Sequence, residues 1–346
     1  MNVLPKTVLI RCPNWVGDVV MATPIFDCLR SNYPESKLVA VIRDYVSGVI
    51  EDGPWFDQVI VTDDKTVRGF YKLVLNIRGV RPDMAIVLPN SVRSVLSIRL
   101  AGTRKIYGYR RNGRSWLLSG GPMPIRSRNG IVPTPMVHYY TKIFSHLGLS
   151  LPDTLKPSLF LSDALERKGN ELLLDYGIKP GDMVIGLNPG AKFGSSKYWP
   201  RKYFAELAEL FEAEWDCKIL LFVGPGEDQI GKSIVEMSRA SIINTADKIN
   251  LALLKPLIRR CQLLITNDTG PRHYAVAFDV PVVVIMGPTD PRYTAANLEK
   301  TVVLREELDC SPCQKKTCPY DHECMQRISP QAVLEASRKI LEINSQ

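Results

Sequence analysis

Thr7-Val8-Leu9-Ile10-Arg11-Cys12-Pro13-Asn14-Trp15-Val16-Gly17-Asp18 is the stretch that decides the fold. Its first five residues form a β-branched and apolar run of single-strand length, Pro13 and Asn14 break it, and apolar residues then recur at helical spacing over 17–32. A second strand reads at 37–42 and another at 83–88. Strand, loop, helix and strand in that order make a βαβ unit, so the sheet is expected to be parallel. The segment 148–157, with Pro152 and Pro157, interrupts the rhythm and is the linker candidate. Alternation restarts with strands at 183–187, 218–223, 241–244, 263–266 and 282–286, and helical stretches fall between them. Two α/β domains are therefore expected, 1–157 and 158–329, followed by a last helical stretch in 330–346.

The totals agree with that division. A chain of 346 residues, 45% apolar and 23% charged, suits two cores of about 150 residues each better than one. The longest apolar run, 280–286, is far short of the roughly 18–20 residues of a membrane span. Arg11 and Asp18 break the first apolar run before a signal sequence could form, so a cytoplasmic protein is expected. Lys and Arg number 44 against 36 Asp and Glu, a formal charge of +8, with much of the excess between Arg78 and Arg128. Such a stretch is either a solvated face or the footprint of an anionic partner: nucleic acid, a phosphorylated glycolipid or a membrane surface.

Open parallel sheets bind ligands beyond the carboxyl ends of their strands, so the residues just after each strand are the candidates. Asp18 falls on the first helical turn, where the helix dipole favours its ionised form. There it could take a proton from a bound hydroxyl, or simply cap the helix. In Asn188-Pro189-Gly190-Ala191-Lys192-Phe193-Gly194-Ser195-Ser196-Lys197-Tyr198-Trp199-Pro200, small residues let backbone amides approach a phosphate and Lys197 adds a mobile charge. Glu227 and Asp228 follow the next strand, a position suited to ribose hydroxyls. The overlapping run Gly226 to Ser233 spells G-x-x-x-x-G-K-S, which makes a P-loop NTPase a rival reading. Against it, two adjacent carboxylates in the cradle would repel a polyphosphate. In Thr266-Asn267-Asp268-Thr269-Gly270-Pro271-Arg272-His273 the amides of a helix start can bind a diphosphate, with Thr269 adding a hydroxyl. His273 lies one turn on, either beside those phosphates or as an ordinary core histidine.

Together these segments resemble the ADP-heptose:lipopolysaccharide heptosyltransferases, glycosyltransferase family 9, over nearly the whole chain. The markers are Trp15-Val16-Gly17-Asp18, Leu88-Pro89-Asn90-Ser91, Pro189 to Gly194 with Lys197 to Pro200, Asn267 to Gly270 with His273, and Gly287 to Pro291. The second and third point to the heptosyltransferase II branch. The resemblance implies a GT-B fold: α/β, with two doubly wound Rossmann-like domains facing across a cleft. The N-terminal domain would bind acceptor, the C-terminal one would bind nucleotide sugar, and the last helix would pack back on the first domain. It implies inverting transfer of L-glycero-D-manno-heptose from ADP-heptose to the first heptose of the lipopolysaccharide inner core. The work would be done in peripheral contact with the cytoplasmic membrane face and without nucleic acid. Asp18 matches the general base, and Lys197 the lysine that neutralises the leaving diphosphate. Gly190, Ala191, Asp268, Thr269, Gly270 and His273 match donor positions, and Asp228 matches the ribose-binding acid with Glu227 as the alternative. Asn14, Trp15, Asn90, Ser91 and Arg93 fall on the acceptor side. No Asp-x-Asp occurs, so catalysis is expected to need no cofactor or divalent ion. Pro271-Arg272 stand where apolar residues are more usual. A nucleotide-sugar epimerase or binding protein of similar fold, and a transferase for a different core acceptor, are the other rivals.

Of eight cysteines, Cys12, Cys28, Cys217 and Cys261 lie singly in apolar elements and read as reduced core residues. Cys310, Cys313, Cys318 and Cys324 form a cluster with Asp321 and His322 nearby. The spacing permits structural zinc or an iron–sulfur group, and equally reduced thiols or a local disulfide.

Overall fold

The computed structural model describes residues 4–128, 130–246 and 248–344, and the chain divides into two units, Met1–Phe160 and Leu161–Gln346. In the first unit the elements are β1 (Thr7–Arg11), α1 (Val16–Met21), α2 (Thr23–Asn32), β2 (Lys37–Arg43), β3 (Gln58–Thr62), α3 (Val67–Val80), β4 (Met84–Val87), α4 (Val92–Leu100) and β5 (Lys105–Gly108). A short antiparallel hairpin, β6 (Arg126–Ser127) and β7 (Gly130–Ile131), and α5 (Met136–His146) complete it. The strands lie in the order β3-β2-β1-β4-β5 and all pair in parallel, with Leu9 opposite both Val39 and Ala85. Residues 8–11 and 84–87 are all buried, as expected for strands covered on both faces. On one face Leu9, Val41 and Val87 pack with Leu73, Ile77, Val95 and Ile98.

The single helix expected over 17–32 is two helices. Pro24 sits in the first turn of α2, where its missing N–H is harmless. As an interior residue of one longer helix it would have deleted a hydrogen bond and clashed with the preceding turn. The chain therefore bends at Ala22, whose N–H still donates to the carbonyl of Asp18 at 3.1 Å.

The second unit holds α6 (Asp163–Asp175), β8 (Met183–Asn188), α7 (Arg201–Glu214), β9 (Cys217–Leu221), α8 (Asp228–Met237), β10 (Ile242–Asn244), α9 (Leu254–Arg260), β11 (Leu263–Asn267), α10 (Gly270–Ala277), β12 (Val282–Ile285), β13 (Thr301–Leu304), α11 (Glu323–Gln326) and α12 (Pro330–Asn344). Its parallel sheet runs β10-β9-β8-β11-β12-β13. The helix expected to return to the first domain belongs here instead. Val333, Leu334, Ala336 and Ile340 of α12 share one core with Ile185, Phe204, Phe211 and Ile265. Their spacing is a helical stripe that α7 and the sheet already match. The linker candidate 148–157 lies just before the division at Phe160.

In both sheets the order of strands reverses direction beside the first strand of the unit, between β1 and β4 and between β8 and β11. Those switch points are where an open α/β sheet leaves a crevice at its carboxyl edge. The loops that leave them carry most of the sequence candidates.

Candidate active site

In the second unit the loops after β8 and β11 are laced together by amide side chains. Asn188 Nδ2 donates to Thr266 Oγ1 at 2.9 Å, Asn267 Nδ2 donates to the Pro189 carbonyl at 2.6 Å, and Trp199 N donates to Asn267 Oδ1 at 3.3 Å. Trp199 is fully buried below them and its indole N–H donates to the Ile328 carbonyl at 2.8 Å. The Lys-x-Trp-Pro segment is thus an anchor that fixes where Lys197 stands.

Asp268 is the hub of the site. Its Oδ2 accepts from Lys197 Nζ at 2.8 Å and from Thr289 Oγ1 at 2.6 Å, and its Oδ1 accepts from Arg272 Nη1 at 2.8 Å. Lys197 Nζ also donates to the Asp268 carbonyl at 2.6 Å. Burial alone would raise the Asp268 pKa, but Lys197 and Arg272 outweigh it and hold the carboxyl well below the usual carboxylate range. Two cations on one carboxylate leave a net positive charge at the start of α10, where the helix dipole adds to it. Arg272 Nε is buried with no hydrogen-bond partner. The sequence marks Arg272 only as standing where apolar residues are more usual, and Thr289 only as part of the segment Gly287 to Pro291; their place at the hub comes from tertiary structure. His273 is buried, and burial followed by the Arg272 charge lowers its pKa to about 3. It is a neutral imidazole at physiological pH and adds no charge.

Of the two acids after β9, Glu227 is the one held against the loop after β8. Its Oε1 accepts from Ala191 N at 3.0 Å and its Oε2 from Gly224 N at 3.2 Å. Gly190 makes that approach possible, since a Cβ there would sit 1.9 Å from Glu227 Oε2. Asp228 instead opens α8 as its first residue. The P-loop reading fails at the same place. Gly231, Lys232 and Ser233 lie inside α8, and the Gly231 amide is already engaged with the Glu227 carbonyl. A phosphate cradle needs those amides unpaired and convergent.

In the first unit, Asp18 lies on the first turn of α1, half-buried. Tyr140 is fully buried, and its hydroxyl is pushed well above its ordinary pKa by burial first and by the Asp18 charge second, which puts the carboxylate close to that ring. Trp15 is 46% exposed at the mouth of the same loop, and Asn14 Oδ1 is buried without a hydrogen-bond partner. Asn90 Oδ1 accepts from Tyr139 Oη at 3.2 Å and from Arg114 Nη2 at 3.3 Å. Ser91 caps α4, accepting from Ser94 N.

The basic stretch is not one footprint. Arg93 donates to the carbonyls of Asp64 at 2.7 Å and Thr66 at 2.9 Å and stacks on Phe70, so its guanidinium braces the loop after β3. Arg114 is fully buried among the carbonyls of Tyr109, Pro89 and Ser91, and burial lowers its pKa to about 10. Arg99 likewise binds the carbonyls of Leu117 and Arg104. Arg78, Arg81, Arg104 and Lys105 surround a cavity of about 430 Å³ at the opposite, amino-terminal ends of β4 and β5.

All eight cysteines are free thiols, which removes the local-disulfide reading. Burial pushes Cys12 and Cys261 up to about 12 and Cys28 and Cys217 up to about 11, so these four are inert core residues.

Two doubly wound parallel sheets, each carrying its polar constellation at a switch point, define a nucleotide-sugar glycosyltransferase of the GT-B class. The profile of glycosyltransferase family 9 (heptosyltransferase) matches residues 70–323, and the chain belongs to that family. It is 27% identical over 344 residues to lipooligosaccharide heptosyltransferase 2 of Campylobacter jejuni, covering 97% of this chain and 98% of that one. The solved structure of Escherichia coli ADP-heptose lipopolysaccharide heptosyltransferase II superposes with a TM-score of 0.81 at 26% identity, over 98% of this chain and 100% of that one. A glycosyltransferase family 9 structure from Veillonella parvula shares the fold, with a TM-score of 0.84 at 24% identity over 97% of both chains. Among the described residues no helix is long and apolar enough to cross a membrane.

Proposed function

We propose that the chain transfers L-glycero-D-manno-heptose from ADP-heptose to the first heptose of a lipopolysaccharide inner core, with inversion. The observation that carries the donor half is the Asp268 hub, where Lys197 and Arg272 leave a net positive charge at the start of α10. A departing ADP needs that charge compensation, and it is worth most where donors are fixed before the reaction begins. Gly190, Thr269 and Gly270 present backbone amides to the diphosphate, Ala191 lends its amide to Glu227 beside them, and neutral His273 serves as a hydrogen-bonding group. Glu227 is our choice for the ribose hydroxyls over Asp228, because its carboxylate is already oriented by two backbone amides.

The first unit supplies the acceptor side. In a single displacement the acceptor hydroxyl oxygen bonds to the anomeric carbon as the bond from that carbon to the diphosphate oxygen breaks. Asp18 takes the hydroxyl proton, and ADP leaves with the bonding pair. Asn14, Trp15 and Asn90 line the acceptor path, with Ser91 and Arg93 framing its loops. The positive charge of this unit suits a phosphorylated glycolipid, and with it peripheral contact at the cytoplasmic membrane face.

The test is incubation with ADP-heptose and core lipopolysaccharide ending in one heptose, followed by mass spectrometry of the glycolipid. A gain of one heptose is expected. Asp18→Ala should lower the rate by about 10²–10⁴-fold with ADP affinity nearly unchanged. No gain, with ADP still bound, would overturn the substrate assignment, and a changed sugar without acceptor would favour an epimerase.

A further inference from the structure

Cys310, Cys313, Cys318 and Cys324 take no part in the transfer chemistry. The chain nevertheless brings all four to the wall of one cavity of about 20 Å³, which Ser196 and His322 also line. That volume admits one atom-sized occupant. Cys324 is buried in α11, whereas the segment carrying the first three, 305–322, has no helix or strand, and Cys310, Lys315, Lys316 and Tyr320 are exposed. It therefore has little apolar burial of its own to hold its shape.

What it holds is the Lys197 turn. The Lys316 carbonyl accepts from Ser196 N at 3.0 Å, the Lys315 carbonyl accepts from Ser196 Oγ at 2.6 Å, and His322 Nε2 lies 2.5 Å from the Ser196 carbonyl. A Cβ on Gly194 would meet the Lys316 carbonyl oxygen at 2.2 Å, so the two backbones are in direct contact. On its other side Ser311 Oγ donates to the Gly287 carbonyl at 2.7 Å and Gln314 N donates to the Pro288 carbonyl at 2.8 Å. The loop thus bridges the turn before Lys197 and the segment leading to Thr289, two partners of Asp268.

We infer that these four cysteines bind one metal ion, zinc or iron, through their thiolates, and that the ion is a clip setting the turn that presents Lys197. A Cys-x-x-Cys pair with two further cysteines close by supplies the four sulfur ligands of a closed tetrahedral site. His322 Nε2 is engaged with the Ser196 carbonyl, so His322 holds the turn while the four sulfurs supply the ligand set. As folded, the side chains are not drawn together into a metal-binding group. Metal binding would have to draw together the sulfurs of the cavity wall they share, and each thiol gives up its proton on binding. The clip does no chemistry on the sugar and does not depend on which sugar is transferred.

The test is elemental analysis of the full chain purified under reducing conditions, then reconstituted with Zn²⁺ alone or Fe²⁺ alone. One equivalent of metal per chain is expected. Zinc would appear as release to a chromogenic chelator while a mercurial titrates four thiols, and iron as a visible sulfur-to-iron absorption band. The double variant Cys310→Ser/Cys313→Ser, altered at the more exposed pair, should bind metal more than about tenfold more weakly. Cys217→Ser should retain it. Hydrogen exchange should quicken at 194–197 in the double variant with far-UV circular dichroism unchanged. If that variant does not fold, mercurial release of the metal from the wild-type chain, read by exchange at 194–197, makes the same measurement. Substoichiometric metal after both reconstitutions, or full occupancy in the double variant, overturns the site. Metal loss without faster exchange at 194–197 overturns the clip.

Discussion

Replacing Lys197 by methionine keeps the length of the side chain and deletes its charge. Asp268 then loses the donor at 2.8 Å from Oδ2, and its carbonyl loses the one at 2.6 Å, while Arg272 at 2.8 Å and Thr289 at 2.6 Å remain. Removing one partner of a buried ion pair costs on the order of 3–5 kcal/mol, and because a second cation stays the lower figure, about 3, applies. For a unit of this size that is a fall of roughly 6–12 °C in melting temperature. The rate should fall further, because the positive surplus at the start of α10 disappears. Loss of one fixed donor at a site of developing charge lowers kcat by about 10²–10³-fold. The acid limb of stability should also move. A carboxylate held below its unfolded pKa, near 4, stabilises the fold above that value, and the contribution is lost as pH falls through the folded pKa. Without Lys197 the folded pKa of Asp268 rises toward the unfolded value, so acid unfolding begins at higher pH. Circular dichroism melts at neutral pH, an acid titration and steady-state kinetics with donor varied would measure all three. Lys197→Met with an unchanged melt and kcat within about threefold would refute Asp268 as the hub.

Glu227→Gln should weaken ADP binding by calorimetry more than Asp228→Asn does, because only Glu227 is oriented by the amides of Ala191 and Gly224; the reverse order would return the ribose to Asp228. Lys232→Ala, on an exposed position of α8, should leave transfer within about twofold, surface changes of this kind being worth under 0.5 kcal/mol; abolished activity would revive the NTPase. His273, with its pKa lowered to about 3, binds fewer protons folded than unfolded between that value and about 6.5. Its share of stability is therefore complete above about pH 6.5 and declines as pH falls toward 3. Chemical denaturation of His273→Gln should show a shallower loss of stability over that window than the parent, and identical slopes would contradict a neutral buried imidazole.

The loops were more legible than the frame around them. Pro13-Asn14, Pro189-Gly190 and Asp268-Thr269-Gly270 announce themselves because special backbone chemistry just after an apolar run has few other uses. The edge strands β3, β5 and β13 did not, since 58–62, 105–108 and 301–304 are short and only partly apolar, and pairing with β2, β4 and β12 makes them strands. Arg93 and Arg114 could not be told from ligand-binding arginines by sequence, because their partners are carbonyls of 89, 91, 109 and 64–66 that only the folded chain brings near. The pattern from Gly226 to Ser233 misled for a related reason: the same letters serve a helix interior once Glu227 is turned toward Ala191. The destination of α12 depended on which of two similar cores its apolar stripe fits, and local periodicity carries no such information.

The anchoring of Trp199 to Ile328, with α12 behind it in the same core, bears on how the protein is made. The first unit is contiguous in sequence and ends at Phe160, so on a ribosome it can complete its own core while the rest is still being translated. The second cannot. The indole that positions the Lys197 turn meets its carbonyl partner only after about 130 further residues have been added. Until then Trp199 lacks the carbonyl partner for its indole N–H and the α12 stripe that completes this core, and an incompletely covered aromatic surface is what makes a nascent chain prone to misassociation.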